Sequence, residues 1–236
     1  MTKVLLAPPA LGTVLSLTGL PGGSNKIHDR SPYGNVGTIV GATWAKLPGG
    51  LWCLSFDGSD DLVSCGTSSV LNPSDDMTLM AWIKMSGFSG GNGNGFGIIT
   101  RDAVNQRAYV FQIAATNGYI NFYVSKTAAG AFTSLIDTAA IPTERWNLVT
   151  GTYHFVADGS SLIEIFLNGV SRKNASNAVG PIVSTTSETQ IGNRQYVGVT
   201  IPFAGDIALP RVFNQALSPL DIQNIFHREK HLFGVC

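Results

Sequence analysis

The stretch Met77-Thr78-Leu79-Met80-Ala81-Trp82-Ile83-Lys84-Met85 decides the fold. Side chains alternate along a strand, so Leu79, Ala81, Ile83 and Met85 fall on one face and Thr78, Met80, Trp82 and Lys84 on the other. Both faces are largely apolar, and a strand covered on both sides belongs in the middle of a layered structure. Working outward, strand-like segments recur at short spacing: Gly37–Trp44, Leu51–Phe56, Asp61–Cys65, Phe96–Arg101, Ala108–Ala114, Tyr119–Ser125, Trp146–Tyr153, Leu162–Leu167, Glu188–Asn193 and Phe203–Phe213. Clusters of Gly, Asn, Asp, Ser and Pro separate them, which is the punctuation of an antiparallel sandwich. Thr116-Asn117-Gly118 and Asn168-Gly169 predict tight hairpins, because Asn-Gly accepts the positive φ angles those turns need. One helix is predicted, with Ser218 as N-cap, Pro219 in the first position, Asp221 three residues past the cap and an apolar stripe of Ile222, Ile225 and Phe226. It is expected to pack on the edge or end of the sandwich. Trp52, Trp82 and Trp146 read as core, and Trp44 stays undecided. The fold class is therefore all-β: a two-sheet antiparallel jelly-roll sandwich with one short C-terminal helix.

The chain has 236 residues, 44% of them apolar and only 13% charged, which is ample material for a core and unlike a disordered segment. Fifteen basic and fifteen acidic side chains cancel, and no Lys/Arg run occurs, so nucleic acid and anionic membranes are poor partners. The apolar stretch Val4 to Leu20 is broken by Pro8, Pro9 and Gly12, and reads as neither an export signal nor a membrane span. The expected location is a virion or particle surface, and otherwise the cytoplasm. Residues 1–28 read as an N-terminal arm or an added edge strand, and residues 29–236 as one sandwich without a dividing linker. The arm carries Val4, Leu5, Leu6, Leu11, Val14, Leu15 and Leu17, and that apolar surface has to be covered by this chain or by a neighbour. Three cysteines are too few for a disulfide scaffold. If Asp57 to Asp61 turns a hairpin pairing Phe56 with Leu62, Cys53 falls opposite Cys65 at bridging distance; the other reading is two buried thiols in adjacent strands. Cys236 is terminal and expected to be free.

Several phrases, taken together and in this order, resemble the laminin-G-like branch of the concanavalin A-like lectin/glucanase superfamily. They are Asp29–Gly37 (DRSPYGNVG), Leu54–Val63 (LSFDGSDDLV), Thr78–Lys84 (TLMAWIK), Trp146–Tyr153 (WNLVTGTY), Ile163–Gly169 (IEIFLNG), Ile191–Asn193 (IGN) and Phe203–Ser218 (FAGDIALPRVFNQALS). The resemblance runs from about Asp29 to Phe226 and implies a jelly roll of two curved sheets. It names no ligand, because members of this superfamily bind glycans, proteins or lipids, cleave polysaccharides or serve as architectural parts. In the family pattern, an acidic pair a few residues after the glycine matching Gly205 supplies a calcium ligand. Ala208 and Leu209 stand there instead, which leaves Asp29, Asn35 and Asp206 as a partial set, short of the roughly six to eight oxygens calcium prefers. Asp29 and Asn35 also read as turn residues that bond their own backbone.

Catalytic patterns are missing from the sequence. Glycoside hydrolysis needs two carboxylates flanking one bond, whereas Glu144, Glu164, Glu188 and Glu229 are isolated and Asp60-Asp61 and Asp75-Asp76 lie in turn-like sequence. His28, His154, His227 and His231 accompany no nucleophile elbow, and Gly90–Gly97 lacks the Lys-Ser/Thr of a phosphate loop. Four aromatics in loop-like positions, Tyr33, Phe88, Phe132 and Tyr196, are the candidate ligand-binding residues, suited to stacking on sugar rings or anchoring a protein. The expected function is a non-enzymatic architectural or adhesive module on a large assembly, such as a virion decoration or fibre protein. A lectin-like glycan-binding module is the alternative and a polysaccharide-cleaving enzyme the third. The expected partners are protein neighbours, including further copies of the chain, and glycans.

Overall fold

The computed structural model describes residues 10–22, 24–89, 93–128, 132–176, 180–196 and 198–235. One sheet runs, in hydrogen-bonded order, β14 (Val170–Ser176), β13 (Leu162–Leu167), β12 (Asn147–His154), β7 (Asp76–Lys84) and β18 (Ala204–Phe213). The far edge of β18 is shared: its first residues pair with β5 (Trp52–Asp57), which carries β4 (Thr43–Lys46), and its last residues pair with β1 (Thr13–Thr18). The second sheet runs β11 (Phe132–Ile136), β10 (Ile120–Ser125), β9 (Tyr109–Ile113), β8 (Phe96–Arg101), β15 (Gln190–Ile191), β6 (Leu62–Ser64), β3 (Gly37–Val40) and β2 (Lys26–Asp29). Pairing of Leu17 with Asp29 joins the two sheets along one seam. A short hairpin, β16 (Gln195–Tyr196) with β17 (Val199–Thr200), stands apart.

Alternation in β7 accounts for two apolar layers. Leu79, Ala81 and Ile83 face the inter-sheet core, where they join Phe111, Phe122 and Val149. Gly151 in β12 lets the sheets close at this point, since a Cβ there would lie 2.9 Å from the Phe122 ring. Met80 and Trp82 face the other way, into a second core with Leu148, Phe166, Ile222, Ile225, Phe226 and Phe233. Each such side chain contributes about 1.5–3 kcal/mol when fully buried. The cover for Trp82 is the helix α1 (Pro219–Glu229) and the turn after it: Phe226 and Phe233 stack on the indole with centroids at 5.7 and 4.2 Å. The helix therefore lies on the outer face of the first sheet, not on an edge or end as the sequence suggests, because the outward row of β7 is too apolar to face water. Its start is as predicted, with Ser218 and Asp221 forming a capping box and Pro219 in the first turn.

Three other expectations need correction. Over Thr13–Thr18 the N-terminal segment is an interior strand with β18 on one side and β2 on the other, and Val14, Leu15 and Leu17 are core residues; Val4, Leu5 and Leu6 lie outside the described residues. Cys53 and Cys65 are both free and buried, but they do not sit in adjacent strands. β5 pairs with β4 and β18, while β6 pairs with β3 and β15, so the Asp57–Asp61 connection crosses between sheets and the thiols belong to different cores. Cys236 lies outside the described residues. Trp82 and Trp146 are core, whereas Trp52 is only half-buried, with the Lys46 ammonium over its ring, and Trp44 is half-buried against the inter-sheet core.

Candidate functional site

Asp29 ends β2, and its carboxylate organises the turn that follows. Oδ1 accepts from the backbone N–H of Ser16 and of Ser31, both at 2.8 Å. Oδ2 accepts from Ser31 Oγ at 2.5 Å, from the Asn35 backbone at 2.9 Å and from Asn35 Nδ2 at 3.3 Å. Asn35 Nδ2 also reaches the Val14 carbonyl. Two of the three residues considered for calcium are thus brought together, but as a turn lock whose carboxylate lone pairs are already taken by N–H and O–H donors. Asp206 lies apart on β18, in register with Lys84 across the pair, and Ala208 and Leu209 are packed in the second core. This donor set does not fit a calcium ion, which needs carboxylate oxygens free to coordinate it. Among the described residues, Asp57, Asp60 and Asp61 form one acidic group of metal-ligand size. Its members serve the turn between β5 and β6, with Asp61 accepting from the Asp57 N–H and Asp57 from the Ser59 N–H.

The locked turn carries Tyr33, which is 54% exposed, to the mouth of a groove of about 550 Å³. Val14 and Val70 supply its apolar part, and Ser69, Asn72, Ser74, Asp75, Asp76 and Asn214 its polar lining. Four pieces of chain meet here: β1, the Asp29 turn, the connection leading into β7, and the residue after β18. Asn72 is committed to the scaffold, donating to the Val183 carbonyl at 3.0 Å and accepting from the Thr185 N–H. Asp76 gives one oxygen, Oδ1, to His154 Nδ1 at 2.8 Å and the Phe155 N–H at 3.2 Å. Ser69, Ser74, Asp75 and Asn214 are exposed, so the groove offers two hydroxyls, a carboxylate and an amide beside one phenol ring.

The other three aromatics go elsewhere. Phe88 is half-buried against the inter-sheet core and covers the Asn117-Gly118 turn so closely that a Cβ on Gly118 would meet its ring. Phe132 is 47% exposed on β11, with Tyr123 edge-on at 5.7 Å and the Arg107 guanidinium 5.3 Å from its centroid. Tyr196 lies on β16, and its side chain is outside what the structure describes. The four glutamates remain isolated from one another: Glu164 bonds Ser171, Glu188 bonds Ser64, Glu229 holds Arg211 and the Trp82 indole, and Glu144 sits in a turn with φ 58°. Asp75 and Asn214 are groove residues that sequence reasoning does not single out as ligand contacts. Adjacency of Asp75 to Asp76 marks a turn in the sequence, and only the sandwich topology brings Asn214 next to it.

Comparison with known proteins agrees with this architecture. The binding domain of Paraclostridial Mosquitocidal Protein 1 superposes with a TM-score of 0.74 at 14% identity, over 95% of this chain and 55% of that one. The binding domain of botulinum neurotoxin DC, solved in complex with rat synaptotagmin II, gives 0.67 at 16% identity, over 92% and 51%. A structure titled for the dependence of botulinum neurotoxin type C cell entry on two ganglioside molecules gives 0.66 at 17% identity, over 92% and 51%. The chain spans about half the length of these neighbours, and at such identities the likeness is one of fold. No curated protein matches in sequence. A laminin-G family pattern matches residues 57–223, well over half of the chain, and on that match the chain belongs to the concanavalin A-like lectin/glucanases superfamily.

Proposed function

We propose that the protein is a non-catalytic binding module that takes a saccharide in the Tyr33 groove. The observation that carries this is the placement of one exposed aromatic ring, held by the Asp29 lock, over a groove edged by exposed hydroxyl, carboxylate and amide groups. A pyranose has an apolar C–H face that stacks on such a ring, and its hydroxyls pair with carboxylate and amide groups. Catalysis is not part of the reading, because glycoside hydrolysis needs two carboxylates placed on either side of one bond, while Asp75 and Asp76 are sequence neighbours, whose side chains diverge where β7 begins. Two of the neighbouring toxin structures are described as binding domains and the third by its interaction with gangliosides, which supports a binding role of this kind. An adhesive or architectural position on a larger assembly, such as a virion decoration or fibre protein, is the second reading, favoured by a chain in which only 13% of residues are charged.

Calorimetry against a panel of neutral oligosaccharides tests the reading, with Tyr33→Ala and Asp75→Asn as variants. Tyr33→Ala is expected to weaken binding about tenfold or more, equivalent to about 1.4 kcal/mol, with no change in melting temperature, and no reducing ends should be released from the bound sugar. Binding that ignores both substitutions would remove the groove from consideration.

A further inference from the structure

The Tyr33 groove carries a charge that a neutral sugar would leave unanswered. Asp75 and Asp76 line it where the chain enters β7, and among the described residues none of the others lining it is basic. Asp76 gives Oδ1 to His154 Nδ1 and the Phe155 N–H, so an imidazole already stands beside that carboxylate. Asp75 differs. It is exposed, and among the described residues it accepts no hydrogen bond and has no ion-pair partner. The charge is felt on the neighbouring strand: burial pushes up the Tyr153 phenol, and the negative charges of Asp75 and Asp76 push it the same way.

An unpaired carboxylate beside an exposed phenol ring is matched by a cation with an apolar body. The carboxylate accepts strong, charge-assisted hydrogen bonds from an ammonium. The face of a Tyr ring attracts a cation and also takes the C–H face of a sugar. Val14 and Val70 add an apolar wall to the same groove. An acidic sugar would instead meet Asp75 as a like charge, which is unfavourable.

We propose that the groove prefers an amino sugar, with the sugar ring on Tyr33 and the ammonium paired with Asp75. This preference rests on the saccharide reading of the groove and adds the ligand's charge to it. Asp75 is exposed, so water screens the pair and the advantage over an uncharged sugar is about fivefold.

Calorimetry compares chitosan oligomers, whose amines are charged at about pH 6, with chitin oligomers and cello-oligosaccharides of equal length, which carry an acetamide or a hydroxyl at the same position. The whole protein is used, as wild type, Asp75→Asn, Tyr33→Ala and Asp60→Asn; Asp60 is exposed and does not line the groove. In wild type and Asp60→Asn, the charged oligomers are expected to bind about fivefold tighter than either uncharged kind, by a margin that shrinks as salt rises. Asp75→Asn should erase that margin and leave the uncharged oligomers unchanged, because the amide keeps an acceptor in place. Tyr33→Ala should weaken all three about tenfold. Equal binding of charged and uncharged oligomers, all weakened by Tyr33→Ala, overturns the preference and leaves the groove standing. A margin that survives Asp75→Asn, or that vanishes equally in Asp60→Asn, overturns Asp75 as its source and the proposal with it. Binding of all three that ignores Tyr33→Ala overturns the groove and the preference together, and absence of binding by the chitosan oligomers overturns the preference.

Discussion

A carboxylate that accepts five hydrogen bonds from its own chain has no coordination to spare, and Asp29 is such a residue. Its two sequence readings, calcium ligand and turn former, differ only in where the lone pairs point, which no residue pattern discloses. Melting temperatures in excess chelator and in millimolar calcium are therefore expected to agree within about 1 °C, whereas Asp29→Ala strands several N–H donors and lowers stability by about 2–3 kcal/mol. A calcium-dependent rise of several degrees would mean that other oxygens complete a site. Arg101 makes the complementary point. It is 1% exposed, with no acidic partner among the described residues, and burial lowers its pKa; its guanidinium binds the Thr67, Ser68 and Thr185 carbonyls and Thr189 Oγ1. Arg101→Met is expected to cost about 3 kcal/mol in urea denaturation by leaving those carbonyls buried and unpaired. Exposed aromatics are legible in the sequence at Tyr33 and Phe132. Phe88 is not, because the turn it covers, at Asn117-Gly118, is distant in sequence.

At the scale of elements, strands with a strong apolar alternation are readable and polar or very short ones are not. β14 reads Val-Ser-Arg-Lys-Asn-Ala-Ser and is mostly exposed, so nothing in its side chains announces a strand; it is defined by its pairing with β13. β11 alternates properly, but over only five residues, two of them buried. β1 reads as an arm because Pro8 and Pro9 precede it, yet Leu15 and Leu17 are fully buried. Removing residues 1–18 deletes a strand paired on both sides and should abolish cooperative unfolding in urea. The C-terminal helix offers a finer check, since Ser218→Ala removes the cap and should cost about 1 kcal/mol.

The whole molecule is a three-layer stack in which two apolar cores share one sheet, and this arrangement buries acidic protons on both sides of it. The sandwich itself is legible because β7 is apolar on both faces; the site is not, because its residues come from turns that only the wrapping of both sheets brings together. Burial raises the Cys53 thiol from its ordinary 9.0 to about 12, helped by the nearby Asp206 charge. Burial likewise pushes up Cys65, which also feels Asp29 and Glu188, as well as the phenols of Tyr109 and Tyr153. Each of these groups is raised in the folded state, so above pH 9 the unfolded chain begins to release protons that the native state still holds. The unfolded state then binds fewer protons than the native one, and stability falls as pH rises, over a window from about 9 to about 12. Within that window, a group that stays protonated only in the fold costs about 1.4 kcal/mol of stability for every tenfold fall in proton concentration. Urea midpoints are therefore expected to drop markedly between pH 7.5 and pH 10.5. Cys65→Ala should shrink that drop, because it deletes one of the ionising groups, even though the variant starts from lower stability. A midpoint that holds steady or rises over the same interval would show that the thiols and phenols meet water in the native state, and with it that the two cores are not closed.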